Sequence, residues 1–495
     1  MAKSVNGRKK PAKRVNRALV QTMLFTIAGI VLVRFLSLGL YPLFDNTEGR
    51  YALIGEVMYM TGNWITPQLN PGVHFWAKPP LSSWAVALSY ALFGINDFAA
   101  RFSSFLFLLG AGSLTFFLGL VSRGKEFALI ATCIFASTAL AFYLAGGVMT
   151  DPALLLGVTL TMVGFWRCMT GFGGWSWGSL MFFGGLVISL LAKGPIGVVL
   201  PGLSIGAWVA WHVKWRDTWR NLPWITGTVF VLVLSLPWYV MAEKATPGFI
   251  NYFIVGEHFS RYLVAGWSGD MYGGPKQLPY GTIWVCFFLA ALPWSLLVVV
   301  APFNRRMRNI FFNRRFIADE WLSYLLFWSL APLIFFTVPR ILLITYVATS
   351  LPAFALLTAH NLQRLQMDRR PYLLAGAAAI VPIIVLLFFI GGQNVPAFAA
   401  QMPTEAKIIA SYEQQKKSAG YNLTYVFTRP FSAEFYSKRR VGLARTAEDV
   451  RRVLQQGPDP FFAIARDRYM ELPADLRERL EIVADHNATL LLRRK

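Results

Sequence analysis

Between Leu19 and Ile390 the chain alternates long apolar runs with short charged links. The first run, Leu19 to Leu43, exceeds the about 20 residues that one bilayer crossing needs. From Phe102 the runs become regular, the next two near 102–121 and 127–147. Two earlier stretches, Tyr51 to Met60 and Leu81 to Phe93, are apolar but short, and predict helices lying at the membrane interface. After Ile390 the pattern changes. YNLTYVFTR, VGLAR, PFFAIAR and the terminal EIV…ATLLLRR predict strands, while FSAEFYSKR, TAEDVRRVLQQG and ELPADLRERL predict helices. The middle helix opens on Thr446-x-x-Asp449, a variant of the capping box. Strands alternating with helices in this way predict a small α/β domain.

The links differ in charge. Arg123 and Lys125, Arg167, Lys214 with Arg216 and Arg220, the NRRMRNIFFNRR stretch around Arg305, and Arg364 with Arg369 and Arg370 are strongly basic. Basic links stay on the cytoplasmic side, as should the tail that carries Lys3 to Arg17. Counting crossings under that constraint gives about eleven spans, with the C-terminus outside. The expected architecture is therefore a mainly α polytopic membrane protein in three parts. They are a basic tail over 1–17, a transmembrane catalytic domain over 18–391 with an external loop over 43–101, and an external α/β domain over 392–495.

Composition excludes the soluble alternatives, since 55% of the 495 residues are hydrophobic and 15% charged. Lys plus Arg outnumber Asp plus Glu by 47 to 25, a formal charge of +22. The basic residues sit in short links rather than on one face, which is the positive-inside pattern and not a nucleic-acid footprint. Cys133, Cys168 and Cys286 all fall inside apolar runs, with neither paired nor metal-ligand spacing.

The links left for the outer face carry the candidate chemistry. FDNTEGRYALIGEVMYMTGNWITPQLNPGVHFWAKPP holds Asp45, Glu48, Arg50 and Lys78; then come GGVMTDP with Asp151, LLAKGP with Lys193, GEHFSRY with His258 and Arg261, and TVPR with Arg340. Isolated ionisable groups beside apolar helix ends usually mark a site or pathway. Each also has a plainer reading. Asp45 and Asp151 suit the starts of helices, Glu48 and Arg50 suit a pair with each other or with headgroups, and Lys78 and Lys193 suit snorkelling. A transporter or flippase of lipid-linked sugars would instead bury charges midway along interrupted spans, and a membrane scaffold would need no charged face.

The segment DNTEGRYALIGEVMYMTGNWITPQLN, with KPPL at Lys78 to Leu81 and ARFSS at Ala100 to Ser104, resembles the GT-C membrane glycosyltransferases. The resemblance is to the bacterial branch of the protein O-mannosyltransferases and the transferases adding 4-amino-4-deoxy-L-arabinose to lipid A. TDP at Asp151, KGP at Lys193, EHFSRY at Glu257 and Thr345-Tyr346 follow in the same order. Two departures stand out: Asp45 is separated from Glu48, where the arabinose transferases have adjacent Asp-Glu, and Ala77 replaces their Glu before Lys-Pro.

The resemblance implies a polyprenyl-phosphate-linked sugar donor, an acceptor that is a lipid, a glycan or a protein, and inverting displacement at the external face of a bacterial inner membrane. It implies catalytic carboxylates from Asp45, Glu48 and Asp151, with Asp45 first as base. Arg50, Lys78, Lys193, Arg261 and Arg340 would hold the donor phosphate, and Tyr346 would line the site. Glu48 and His258 are the candidate ligands should a divalent metal ion take part; no other cofactor is implied.

Overall fold

The computed structural model describes residues 16–495 apart from 172–173, 262–266, 268, 270, 273–276, 314, 393–394, 396–402, 417–419, 457–458 and 487. The basic tail expected before Asn16, and Tyr262 of the EHFSRY motif, lie outside the described residues.

The membrane part opens with α1 (Arg17–Ser37), α2 (Thr47–Thr61), α3 (Leu81–Phe93), α4 (Asp97–Arg123), α5 (Lys125–Ser137) and α6 (Ala139–Leu144). It continues with α7 (Asp151–Thr170), α8 (Trp177–Lys193), α9 (Ile196–His212), α10 (Trp215–Asn221) and α11 (Trp224–Ala245). Further helices follow, among them Glu320–Phe335, Leu351–Arg364 and Pro371–Gly391. Among the described residues five helices are long and apolar enough to span: α1, α4, α7, α11 and Pro371–Gly391. Four more apolar helices are shorter: α3, α8, α9 and Glu320–Phe335. The chain is thus a multi-pass membrane protein.

Two expected runs are shorter than their hydropathy. The first ends at Ser37, not Leu43, where the Ser37 hydroxyl donates back to the Arg34 carbonyl at 2.8 Å. The 127–147 run breaks at Thr138, whose backbone is extended. There the Ser137 and Thr138 hydroxyls donate to the Cys133 and Phe135 carbonyls at 2.6 and 2.9 Å, competing with the helix's own ladder.

The C-terminal part is the expected α/β fold. Its sheet runs in the order β4 (Gly442–Ala444), β3 (Leu423–Val426), β5 (Phe461–Ala465), β7 (Thr489–Arg494), β6 (Leu480–His486). β3 pairs with β4 and β5 in parallel, and β5–β7–β6 are antiparallel. A separate hairpin, β1 (Gln68–Asn70) and β2 (Val73–His74), lies in the opening loop. Alternate residues of β3, β5 and β7 feed two cores, Tyr425, Phe461 and Leu491 on one face and Val426, Phe462 and Leu492 on the other. Both faces are buried, as befits strands with parallel neighbours. Thr446 and Asp449 form the expected reciprocal cap, each accepting from the other's amide at 3.2 and 3.1 Å. Helix Ala406–Gln415, unanticipated, closes one face with Ile408 and Tyr412.

The short helix Phe431–Tyr436 joins this domain to the opening loop. Phe435 packs among Leu43, Leu53, Val86 and Tyr90. The Tyr436 hydroxyl donates to Asp97 and accepts from the Leu43 amide, both at 2.6 Å.

Candidate functional site

α7 and α8 run antiparallel at close range because their contact is built from glycine. A Cβ on Gly164 would stand 2.3 Å from the Phe182 amide nitrogen, and one on Gly185 would stand 2.5 Å from the Gly157 carbonyl. Small residues let helix backbones approach in membranes. The pairing carries Asp151, first residue of α7, opposite Lys193, last residue of α8; both are buried and their charged atoms lie 2.7 Å apart. Gly194 then turns the chain at φ 76, where a Cβ would meet the Phe253 ring at 2.6 Å, so the Lys-Gly-Pro step needs its glycine.

The second charged group is assembled from two loops. Trp76 fixes the loop of Lys78, donating from its indole to Thr246 at 3.1 Å and from its amide to the Tyr272 hydroxyl at 2.9 Å. The π-helix Asn251–Ser260 supplies Glu257. One Glu257 oxygen accepts from Lys78 and Arg261, each at 3.0 Å, and the other from the Tyr252 hydroxyl at 3.2 Å. Burial pushes the Lys78 ammonium below its ordinary range against the pull of Glu257, and the nearby Lys193 and Arg261 push the same way. Burial would raise the Glu257 carboxyl, but Lys78 and Arg261 outweigh it and hold it low.

Both groups line one cavity of about 420 Å³ together with His258, Phe335, Phe336 and Tyr346. Among the described residues its charged side chains are three cations, Lys78, Lys193 and Arg261, and two carboxylates, Asp151 and Glu257; much of the remaining wall is apolar, including Leu154, Ile196, Val199 and Leu200. The Lys193 ammonium lies 5.3 Å from the Tyr346 ring centre. Asp151, Lys78, Lys193, Arg261 and Tyr346, expected at the site, are therefore brought together.

Asp45, Glu48, Arg50 and Arg340 are not among the residues lining this cavity. Asp45 binds Ser432 of the C-terminal domain. The helix after it begins at Thr47 with Asn46 as its cap residue, so the capping reading of Asp45 does not hold for that helix. Glu48 is 3% exposed, paired through both oxygens with Arg101 at 3.1 and 2.9 Å and accepting from the Phe44 and Val148 amides. It pairs with Arg101 rather than with Arg50, whose guanidinium lies 5.1 Å from the Phe431 ring centre. Arg340 donates to the Leu278 carbonyl at 3.4 Å beside the Tyr280 ring.

The suggested metal ligands do not fit a divalent ion. His258 turns Nδ1 to the Phe253 carbonyl at 2.7 Å and Nε2 to the Lys193 carbonyl at 3.2 Å, while Glu48 is consumed by Arg101. Burial lowers the His258 pKa, and a neutral ring donates to only one of these two carbonyls. Among the described residues no group of three or more His, Cys, Asp and Glu is placed to hold a metal ion.

Two residues were missed by sequence reasoning. Glu257 stood in the EHFSRY motif without a role, although its spacing of four from Arg261 on a helix was a signal for pairing. Arg101 stood in ARFSS; a charge in the second turn of a 27-residue apolar helix demands a buried partner, and Glu48 supplies it.

Residues 18–253 match the family described as dolichyl-phosphate-mannose-protein mannosyltransferase. The undecaprenyl phosphate-alpha-4-amino-4-deoxy-L-arabinose arabinosyl transferase of Shewanella sediminis is 26% identical over 405 residues, covering 76% of this chain and 67% of the relative. The enzyme of the same name from Enterobacter sp. (strain 638) is 27% identical over 379 residues, 74% of this chain and 65% of the relative. The alignments thus span about two thirds of those relatives' length. The crystal structure of ArnT from Cupriavidus metallidurans bound to undecaprenyl phosphate superposes with a TM-score of 0.75 at 18% identity, over 96% of this chain and 98% of that one, which shows a shared fold. Over residues 18–253, just under half of its length, the chain is thus similar to the protein mannosyltransferase family, and as a whole it shares the fold of the aminoarabinose transferase structure.

Proposed function

We propose that this protein transfers a sugar from a polyprenyl-phosphate donor to lipid A, another envelope glycan or a protein, at the external face of a bacterial inner membrane. One observation carries the reading: Glu257 clamped between Lys78 and Arg261 in the same apolar-walled cavity as the Asp151–Lys193 pair. The apolar wall suits a polyprenyl tail, and the excess of one cation suits its phosphate.

In the proposed reaction the acceptor hydroxyl attacks the anomeric carbon from the face opposite the phosphate. The anomeric C–O bond breaks, its electron pair passes to the departing phosphate oxygen, and the configuration inverts. Negative charge on the phosphate grows toward the transition state, and Lys78 and Arg261 stabilise it there. Glu257 holds those two cations in place. Asp151 takes the acceptor proton, with Lys193 orienting its carboxylate. Asp45 is assigned a positioning role through Ser432, and Glu48 an architectural one through Arg101.

The basic links support placing the cavity, the opening loop and the C-terminal domain outside the cytoplasm. The relatives' names support undecaprenyl phosphate as carrier. Mass spectrometry of lipid A and envelope glycans from cells with and without the gene tests the reading. Loss of one glycosyl substituent is expected in its absence; identical glycan profiles, with no undecaprenyl phosphate released by the purified protein, would overturn it.

A further inference from the structure

A second cavity, of about 270 Å³, lies between α1, α4, α5 and α6 and shares no lining residue with the first. Leu24, Ile27, Ile30, Val31 and Arg34 line it from one face of α1. From Leu24 to Arg34 the helix rises roughly 15 Å at about 1.5 Å per residue. That is half of the roughly 30 Å hydrocarbon core, the depth of one leaflet. The cleft is lined almost wholly by apolar side chains, with Arg34 at the end nearer the first cavity's face of the bundle, where α1 stops.

Arg34 is 1% exposed. Its guanidinium donates to the Tyr143 carbonyl at 3.1 Å and the Ser37 hydroxyl at 3.3 Å and lies 5.0 Å from the Phe142 ring centre, while its Nε has no partner. No carboxylate pairs with it among the described residues. Gly146 leaves the space it occupies, since a Cβ there would collide with the guanidinium. A buried guanidinium without a counter-ion is costly in a membrane. Among the described residues the other buried cations, Lys193 and Arg101, each have a carboxylate.

We propose that this cleft is a lipid site that takes one acyl chain of an anionic phospholipid from that leaflet, with the lipid phosphate supplying the counter-ion of Arg34. Basic pockets between membrane helices select anionic headgroups in this way. The site is separate from the transfer cavity and does not depend on the assignment of its reaction.

The test equilibrates the delipidated, full-length protein with equimolar phosphatidylglycerol and phosphatidylcholine of identical acyl chains and reads retained lipid by native mass spectrometry. Phosphatidylglycerol should be favoured about fivefold, the weight of one basic residue at a membrane surface. Arg34→Gln should bring the ratio to about one. Ser113→Trp, which fills the cleft from an exposed position on its rim, should abolish retention, and it decides the matter if Arg34→Gln does not fold. Equal retention of the two lipids by the unaltered protein, an unchanged preference in Arg34→Gln, or unchanged retention in Ser113→Trp would each overturn the proposal. Displacement of the retained lipid by an equal concentration of undecaprenyl phosphate would also overturn it, assigning the cleft to the carrier.

Discussion

Ser432 gives both its backbone amide, at 2.9 Å, and its hydroxyl to the carboxylate of Asp45. The clasp is double, since the Asp45 amide donates to the Pro403 carbonyl at 2.8 Å and the Glu405 amide to the Ser432 hydroxyl at 2.9 Å. Gly49 on α2 makes room for it: a Cβ there would stand 3.0 Å from both the Ser432 amide nitrogen and an Asp45 oxygen. An aspartate in the loop ahead of α2 thus caps the first turn of a helix almost 400 residues later in the chain.

This clasp should respond to pH. Burial pushes the Asp45 carboxyl up to about 6, against the Ser432 bonds that pull it down, and burial pushes Glu405 up to about 7. A carboxyl whose folded pKa exceeds its ordinary value stabilises the fold most below that ordinary value, and the contribution is lost as pH rises through the folded pKa. The Asp45 part should therefore fade between about pH 4 and 6. Thermal unfolding in detergent of the parent and Asp45→Asn proteins checks this: the parent's midpoint should drop relative to the variant across that window and stay level above it. A difference that does not change with pH would refute the assignment.

Lys78→Ala should slow transfer by roughly two to three orders of magnitude, the size of effect seen when one preorganised donor to a developing oxyanion is removed. Steady-state kinetics with a polyprenyl-phosphate sugar would show kcat falling more than donor affinity. Glu257→Gln should also slow transfer, because Lys78 and Arg261 lose the carboxylate that sets their spacing.

Asp151→Asn preserves the volume of the side chain but removes the proposed base. Turnover should fall by roughly two to four orders of magnitude, while the protein still folds and inserts. Near-parental turnover would return the role of base to another carboxylate.

Arg101→Leu leaves Glu48 buried without its partner and should cost about 3–5 kcal/mol of stability. Replacing both, Glu48→Gln with Arg101→Leu, should recover part of that loss. Unfolding in detergent measures each variant, and a single substitution no worse than the double would show the pair to be uncoupled.

Cysteines placed at exposed sites in the C-terminal domain should react with a membrane-impermeant reagent in intact spheroplasts, and cysteines in the Arg305 link should not. The opposite pattern would reverse the proposed topology.

By itself the sequence determined the class of fold and the change of regime after Ile390, because both depend on local periodicity. Apolar runs must cross or line a bilayer, and alternation with turn signals must make strands. It also brought Lys78, Asp151, Lys193 and Arg261 into view, since a charge beside an apolar helix end is conspicuous wherever it lies. Only the tertiary structure decided what each charge meets. Glu48 turns to Arg101, 53 residues away. Glu257 stands between a lysine 179 residues earlier and an arginine one helical turn later. Asp45 lies beside Ser432, 387 residues on. Side-chain type fixes which partners a charge can accept, but the partner is set by helix packing, such as the glycine contact of α7 with α8 that puts Asp151 against Lys193. That packing is a non-local property of the folded chain, which no window of sequence contains.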